Sequence, residues 1–322
     1  MKRIVAITLA AFAFSACDFG DPGIHQPQPV IEAWLIAGET IPPVRLTWTQ
    51  SVETQYGSVP VGVGAATVTI TQLASPGLPE RRFTYAPIDV PSDVEAADGL
   101  YLPLFSDETG SGFQSRVVAG ATYQLTADVP GYPTLAARTI VPGGFDIVGE
   151  PVREVVYQST EQIEIDVSAS VYPGRDAVYI ISMESLDPSI DGLTPFLRDI
   201  LFSIGADEEF DPSTLDPEEL SEVILQSSPP LNEANWQVNP DASIRLKMPW
   251  FFAAFYGPQE ITVSAIDDNV WNHFRYVNAQ EGNGGFAPGE IPNVKAGVND
   301  GHGLFGSLTR VRSRVVILRE DG

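Results

Sequence analysis

Cysteine is almost absent from these 322 residues: Cys17 stands alone. No disulfide can form within the chain, so the fold must rest on its own cores or on bound metal. Histidine is scarce as well. His25, His273 and His302 are the only three, and nothing in their spacing matches a zinc ligand set. Basic residues are few, 18 against 42 acidic, for a net charge of −24. Such an excess repels phosphate backbones and anionic head groups, which sets nucleic acid aside as a partner. It favours solubility and cationic partners. No apolar run reaches the roughly 20 residues of a membrane-spanning helix. There is no Gly-x-Ser-x-Gly elbow, no phosphate loop closing on Gly-Lys-Ser/Thr, no internal repeat and no heptad seam. No catalytic constellation emerges, and the chain reads as a protein without enzymatic activity.

What is present begins with the first seventeen residues. Lys2 and Arg3 form a short basic region, and Ile4 to Phe14 is apolar except for Thr8. That length suits the apolar core of a secretory signal. Ser15 and Ala16 are small side chains before a cysteine, as a lipoprotein signal peptidase requires. An unpaired cysteine in an exported protein calls for modification. Cys17 is therefore the expected lipidation site, carrying a covalent diacylglycerol and acyl lipid and no other cofactor. Residues 1–16 are the signal peptide. Residues 17–29, broken by Pro22, Pro27 and Pro29, read as an extended, mobile tether. The expected location is a membrane surface, to which the body is lipid-anchored.

Beyond the tether the period is two. Val30–Ile36, Val44–Thr49, Ala66–Thr71, Arg82–Tyr85, Gly99–Leu102, Gly120–Asp128 and Leu135–Val141 are short runs separated by turn signals. They predict an antiparallel β-sandwich over 30–145. A second β-rich domain follows over 146–322. Its strands fall at Val152–Tyr157, Ile163–Val167, Ser243–Met248, Ile261–Ala265 and Leu308–Leu318. The continuous apolar run Ala177–Met183 predicts a central strand buried on both faces. A helical insertion interrupts over 191–226. One helix opens at Thr194-Pro195 and another at Asp216-Pro217. A third is capped by Asp268, with Val270, Trp271, Phe274 and Val277 on one side.

Two stretches are candidate sites. Trp250, Phe251, Phe252, Phe255 and Tyr256 concentrate aromatic surface that either binds a ligand or partner or fills a core. Asp207, Glu208, Glu209 and Asp211 offer carboxylate oxygens for calcium but lack the EF-hand spacing, and a solvated loop is the alternative. The glycine-rich stretch Gly297–Gly306 reads as a loop with turns at positive φ and tight packing.

Several short patterns in fixed order resemble an uncharacterised lipoprotein family of Bacteroidota, domain of unknown function 4249. They are Ile31-Glu32-Ala33-Trp34-Leu35-Ile36, Ala65-Ala66-Thr67-Val68-Thr69-Ile70, Gly99-Leu100-Tyr101, Gly120-Ala121-Thr122-Tyr123-Gln124-Leu125 and Gly301-His302-Gly303-Leu304-Phe305-Gly306. The early strands also look like Ig-like and transthyretin-like sandwich domains. The resemblance brings no catalytic residue. It implies an accessory or binding role in uptake beside a TonB-dependent outer-membrane receptor. The alternatives are a structural or adhesion module of the cell surface and a carboxylate-based or calcium-dependent hydrolase. Replacing Cys17→Ser should abolish incorporation of labelled palmitate and move the chain from the membrane pellet to the soluble fraction.

Overall fold

The computed structural model describes residues 25–51, 53–54, 60–88, 99–104, 115–149, 153–159, 163–204, 226–232, 234–280 and 297–320. The chain is mainly β. In order the elements are β1 (Pro29–Ile36), β2 (Val44–Trp48), β3 (Thr67–Gln72), β4 (Arg81–Pro87), β5 (Leu100–Pro103), β6 (Thr122–Asp128), β7 (Leu135–Ile140), β8 (Glu154–Val156), β9 (Ile163–Val167) and β10 (Val178–Ser185). Then come α1 (Pro195–Ile204), β11 (Gln226–Ser227), β12 (Gln237–Val238), β13 (Ile244–Met248), β14 (Gly257–Ile266), α2 (Asp268–Gln280), β15 (Val298–Asn299) and β16 (His302–Leu318). The expected helix at Asp216 lies outside the described residues.

Thirteen strands form one curled sheet in the order β11-β10-β14-β16-β1-β2-β5-β4-β3-β6-β7-β15, with β8 also on β16. A second, three-stranded sheet has the order β12-β13-β9. The alternation seen in the sequence becomes burial. On β1, Ile31, Ala33 and Leu35 are buried, while Glu32 and Trp34 point outward. On β6, Tyr123, Leu125 and Ala127 face inward. Two large cores result. The first joins β1 to β7 and takes in Val298 and Phe305 from the far end of the chain. In the second, β9 and β13 are sandwiched against β10, β14 and β16.

β16 serves both cores. Its first half pairs in parallel with β1, Val30 opposite His302 through Ile36 opposite Leu308. Its second half pairs antiparallel with β14, Ile266 opposite Leu308 through Gly257 opposite Ile317. Phe305 enters the first core and Val315 and Ile317 the second. Each such side chain removed from water contributes about 1.5–3 kcal/mol. The strand starts at His302, so Gly303 and Gly306 are strand residues, not part of a loop. Absence of a side chain is what admits them. A Cβ on Gly303, at φ +118°, would sit 1.9 Å from the Ile31 carbonyl oxygen, and one on Gly306 would sit 2.6 Å from Val270 Cγ2.

The double burial expected of β10 holds, and a helix supplies its cause. Tyr179, Ile181 and Met183 face the second core, while Val178 and Ile180 lie with Val270, Trp271 and Phe274 of α2. α1 begins at Pro195 as expected, and the Thr194 hydroxyl before it makes a tertiary contact. That hydroxyl donates to the carbonyls of Ala253 and Ala254, at 2.8 and 3.2 Å, and so ties the helix to the chain before β14.

Gly303→Ala should cost more than about 3 kcal/mol, because an unfavourable φ and a backbone clash coincide. Gly38→Ala, at φ +79° with open space around its Cβ, should cost only about 1 kcal/mol. Denaturant melts of the two variants test the contrast.

Candidate functional site

The structure separates the five aromatic residues singled out in the sequence. Phe252 is buried in the second core, and Phe255 is buried with Leu193, Leu197 and Ala254. Trp250 and Tyr256 meet the Tyr157 ring edge-on, with centroids 5.5 and 5.6 Å away. Phe251 alone is largely open, 47 % exposed, and it faces Phe196 of α1 at 6.4 Å. The stretch is thus chiefly a wall between packed clusters, with one aromatic edge at the surface. Cys17 and the acidic group Asp207, Glu208, Glu209 and Asp211 lie outside the described residues. Among the described residues no three His, Cys, Asp or Glu side chains come together as a metal site, and no helix is long and apolar enough to cross a membrane.

A different set of residues forms a groove of about 450 Å³ beside the first core. Its floor is Trp48, the last residue of β2, and Tyr132, in the β6–β7 connection. Their ring centroids lie 5.1 Å apart and the planes are tilted by 50°. Pro27, Thr49, Gln50, Thr54 and Val61 complete the lining. Local geometry explains how these residues meet. Gly131, at φ +86°, turns the chain after β6 and presents Tyr132. The Trp48 amide donates to the Val61 carbonyl at 2.9 Å, which holds Val61 at the rim with 61 % of its surface open.

The segment expected to be a mobile tether forms one edge of this groove. The Thr49 amide donates to the Gln28 carbonyl at 2.8 Å, and the Gln28 amide donates to Thr49 Oγ1 at 3.0 Å. Tyr132 Oη donates to the Pro27 carbonyl at 3.0 Å. His25 Nε2 lies 2.9 Å from the Thr49 carbonyl, and His302 Nε2 lies 2.6 Å from Gln28 Oε1. Residues 25–28 are therefore fastened to the body. Sequence reading places Trp48 in a strand and Pro130-Gly131 in a turn, but the groove depends on three segments meeting, which no local pattern reveals. The nearest signal is a large aromatic at a strand end beside a Pro-Gly turn that is itself followed by Tyr132.

The polar chemistry of the described residues is concentrated where the two cores meet. Asp267 is 1 % exposed. One of its carboxylate oxygens accepts from the Thr139 hydroxyl and the other from the Val270 amide, the latter at 2.8 Å. Asp267, not Asp268, is therefore the N-cap of α2, because its carboxylate reaches the third helical amide. Asp268 instead pairs with Arg175 at 2.7 Å. Ser307 Oγ lies 2.6 Å from Thr139 Oγ1 and donates to the Ile140 carbonyl at 3.1 Å. Asn269 Nδ2 bridges the carbonyls of Arg138 and Phe305, both at 2.8 Å. Burial pushes the Asp267 carboxyl up to about 6, against the hydrogen bonds from Thr139 and Val270 that lower it. On the outer face of the small sheet the effect is opposite. Arg245 grips Asp166 through two bonds of 2.8 Å and holds that carboxyl below its ordinary range.

Because the folded-state value of Asp267 lies above the unfolded one, its contribution to stability is full in acid and is lost as pH rises through about 6. Asp267→Asn keeps a cap acceptor and cannot ionise. Relative to that variant, wild type should lose about 2–3 kcal/mol between pH 4 and pH 7, since each tenfold difference in proton affinity between the folded and unfolded chain is worth roughly 1.4 kcal/mol. Paired thermal melts across that range measure the difference.

Comparison with known proteins adds a family and little else. No curated protein matches the sequence. Among solved structures, extracellular cadherin domains 3–6 of protocadherin gamma B2 align at 13 % identity with a TM-score of 0.15, covering 90 % of this chain and 50 % of that one. The chain thus spans half the length of that protein, and at such a score the likeness carries no argument. The model of one family matches residues 20–314, nearly the whole length. The chain belongs to that family, described as a domain of unknown function, DUF4249.

Proposed function

We propose that the chain is a cell-envelope lipoprotein without enzymatic activity, a binding module anchored at the outer membrane through Cys17. In this reading it works as an accessory in uptake beside a TonB-dependent receptor. The groove between Trp48 and Tyr132 carries the proposal. It is concave, aromatic and edged by neutral polar side chains, the makeup of a surface that holds a ligand by apolar contact and a few hydrogen bonds. Its position supports the same reading. The groove is edged by Pro27, ten residues beyond Cys17, and a fully extended chain of that length spans about 35 Å. A partner embedded in the same membrane is within reach of a body tethered this way.

Crosslinking in intact cells, followed by identification of the attached species, tests the proposal. Recovery of a TonB-dependent receptor, reduced when Trp48→Ala replaces the wild-type chain, is the expected result. Recovery of peptidoglycan or neighbouring surface proteins alone would favour a structural or adhesive role.

A further inference from the structure

We infer that the Trp48–Tyr132 groove recognises an uncharged, extended peptide segment containing proline, which lies beside the chain's own Gln26-Pro27-Gln28-Pro29. The inference rests on the binding role proposed above and names the ligand class of that site.

Three observations lead to it. The first is the self-contact. Pro27 stands beside the aromatic pair with its carbonyl accepting from Tyr132 Oη, and the main chain of the next residue, Gln28, both donates to and accepts from Thr49. The proline ring fixes φ near −65° and removes a donor, while the residue before each proline is driven to extended backbone. Gln26 to Pro29 is therefore held straight by its own covalent chemistry, with carbonyls turned out for a side-chain donor to meet. An aromatic pair with a hydroxyl aimed at a proline carbonyl is the chemistry by which grooves read polyproline-type segments.

The second observation is charge. Among the described residues none that lines the groove is charged, on a chain of net charge −24. A groove kept neutral on so acidic a protein selects a neutral occupant, since a cationic segment would be drawn to the carboxylates elsewhere and an anionic one repelled. The third is openness. Pro27 lines the groove together with Val61, 61 % exposed, and Tyr132, 38 % exposed. That open surface is what a second straight segment would cover. Such a segment reaches the site with little conformational entropy left to lose.

The test uses the full mature chain with Cys17→Ser and an acetylated, amidated Gln-Pro-Gln-Pro-Gln-Pro peptide, followed by NMR shifts of the Trp48, Val61 and Tyr132 resonances. The expected result is saturable binding centred on those residues, absent for the same peptide with alanine in place of proline. Trp48→Ala should weaken it by about tenfold or more, as truncating an aromatic anchor does. Val61→Lys, which adds a charge at an exposed rim and leaves the core untouched, should weaken it as well. Phe251→Ala, in the second half of the chain, should leave it unchanged. Saturable shifts at the same residues with neutral maltohexaose or phosphatidylcholine vesicles, and none with the peptide, would overturn the inference in favour of a glycan or lipid surface. Silence of the peptide in a chain that still crosslinks to a receptor would overturn the ligand class and leave the uptake role standing.

Discussion

The architecture depends on how closely β16 approaches β1. The two strands run in parallel, and at Gly303 the backbones come so near that a single methylene would overlap the Ile31 carbonyl. That approach makes β16 a neighbour of β1 on one side and, further along, of β14. Everything that joins the two cores follows from this sharing. Phe305 belongs to the first core and Ile317 to the second, yet they are twelve positions apart on one continuous strand. The pairing also puts Ser307 where Thr139 and Asp267 can reach it. A steric allowance at one glycine thus permits a polar knot a few residues away.

The knot is a balance of opposing effects rather than a simple gain. Asp267 caps a helix, binds a hydroxyl from the other half of the molecule and does both while shut away from water. Each bond favours the ionised carboxylate and burial opposes it, and burial wins. The surface ladders are less demanding. Arg245 with Glu164 and Asp166, and Lys247 with Glu164, neutralise some of the acid excess at partly exposed positions, where water screens them and each contributes little.

Much of this was readable in the sequence because it is local. Period-two alternation placed β1 to β9, β13 and β14, a continuous apolar run placed β10, and a proline after Thr194 placed the start of α1, while the two-residue strands β11 and β12 carry no such pattern. Tertiary effects hid the rest. His302 to Gly306 has the composition of a loop, and only the closeness of β1 makes it a strand. Asp267 and Asp268 are equivalent by pattern, and the choice between them is made by a threonine 128 positions away. Gln26 to Pro29 has the composition of a free linker but finds partners in Thr49 and Tyr132. Aromatic density in Trp250–Tyr256 signalled surface and core alike, and burial alone separates Phe251 from Phe252.

The pairing of the first strand with the last has a consequence in time. Gln28 and His302 touch across 274 residues of chain. When a protein is delivered from its N-terminus, β1 is among the first strands to emerge and β16 the last, so β1 keeps an open edge through nearly the whole passage. Strand pairing across such a separation is slow, because loop closure precedes any reward from the contact. An exposed edge during that interval is a template for the wrong partner. The acidic character of the chain acts here as well, since like charge keeps unfinished copies apart until β16 arrives and both cores close together.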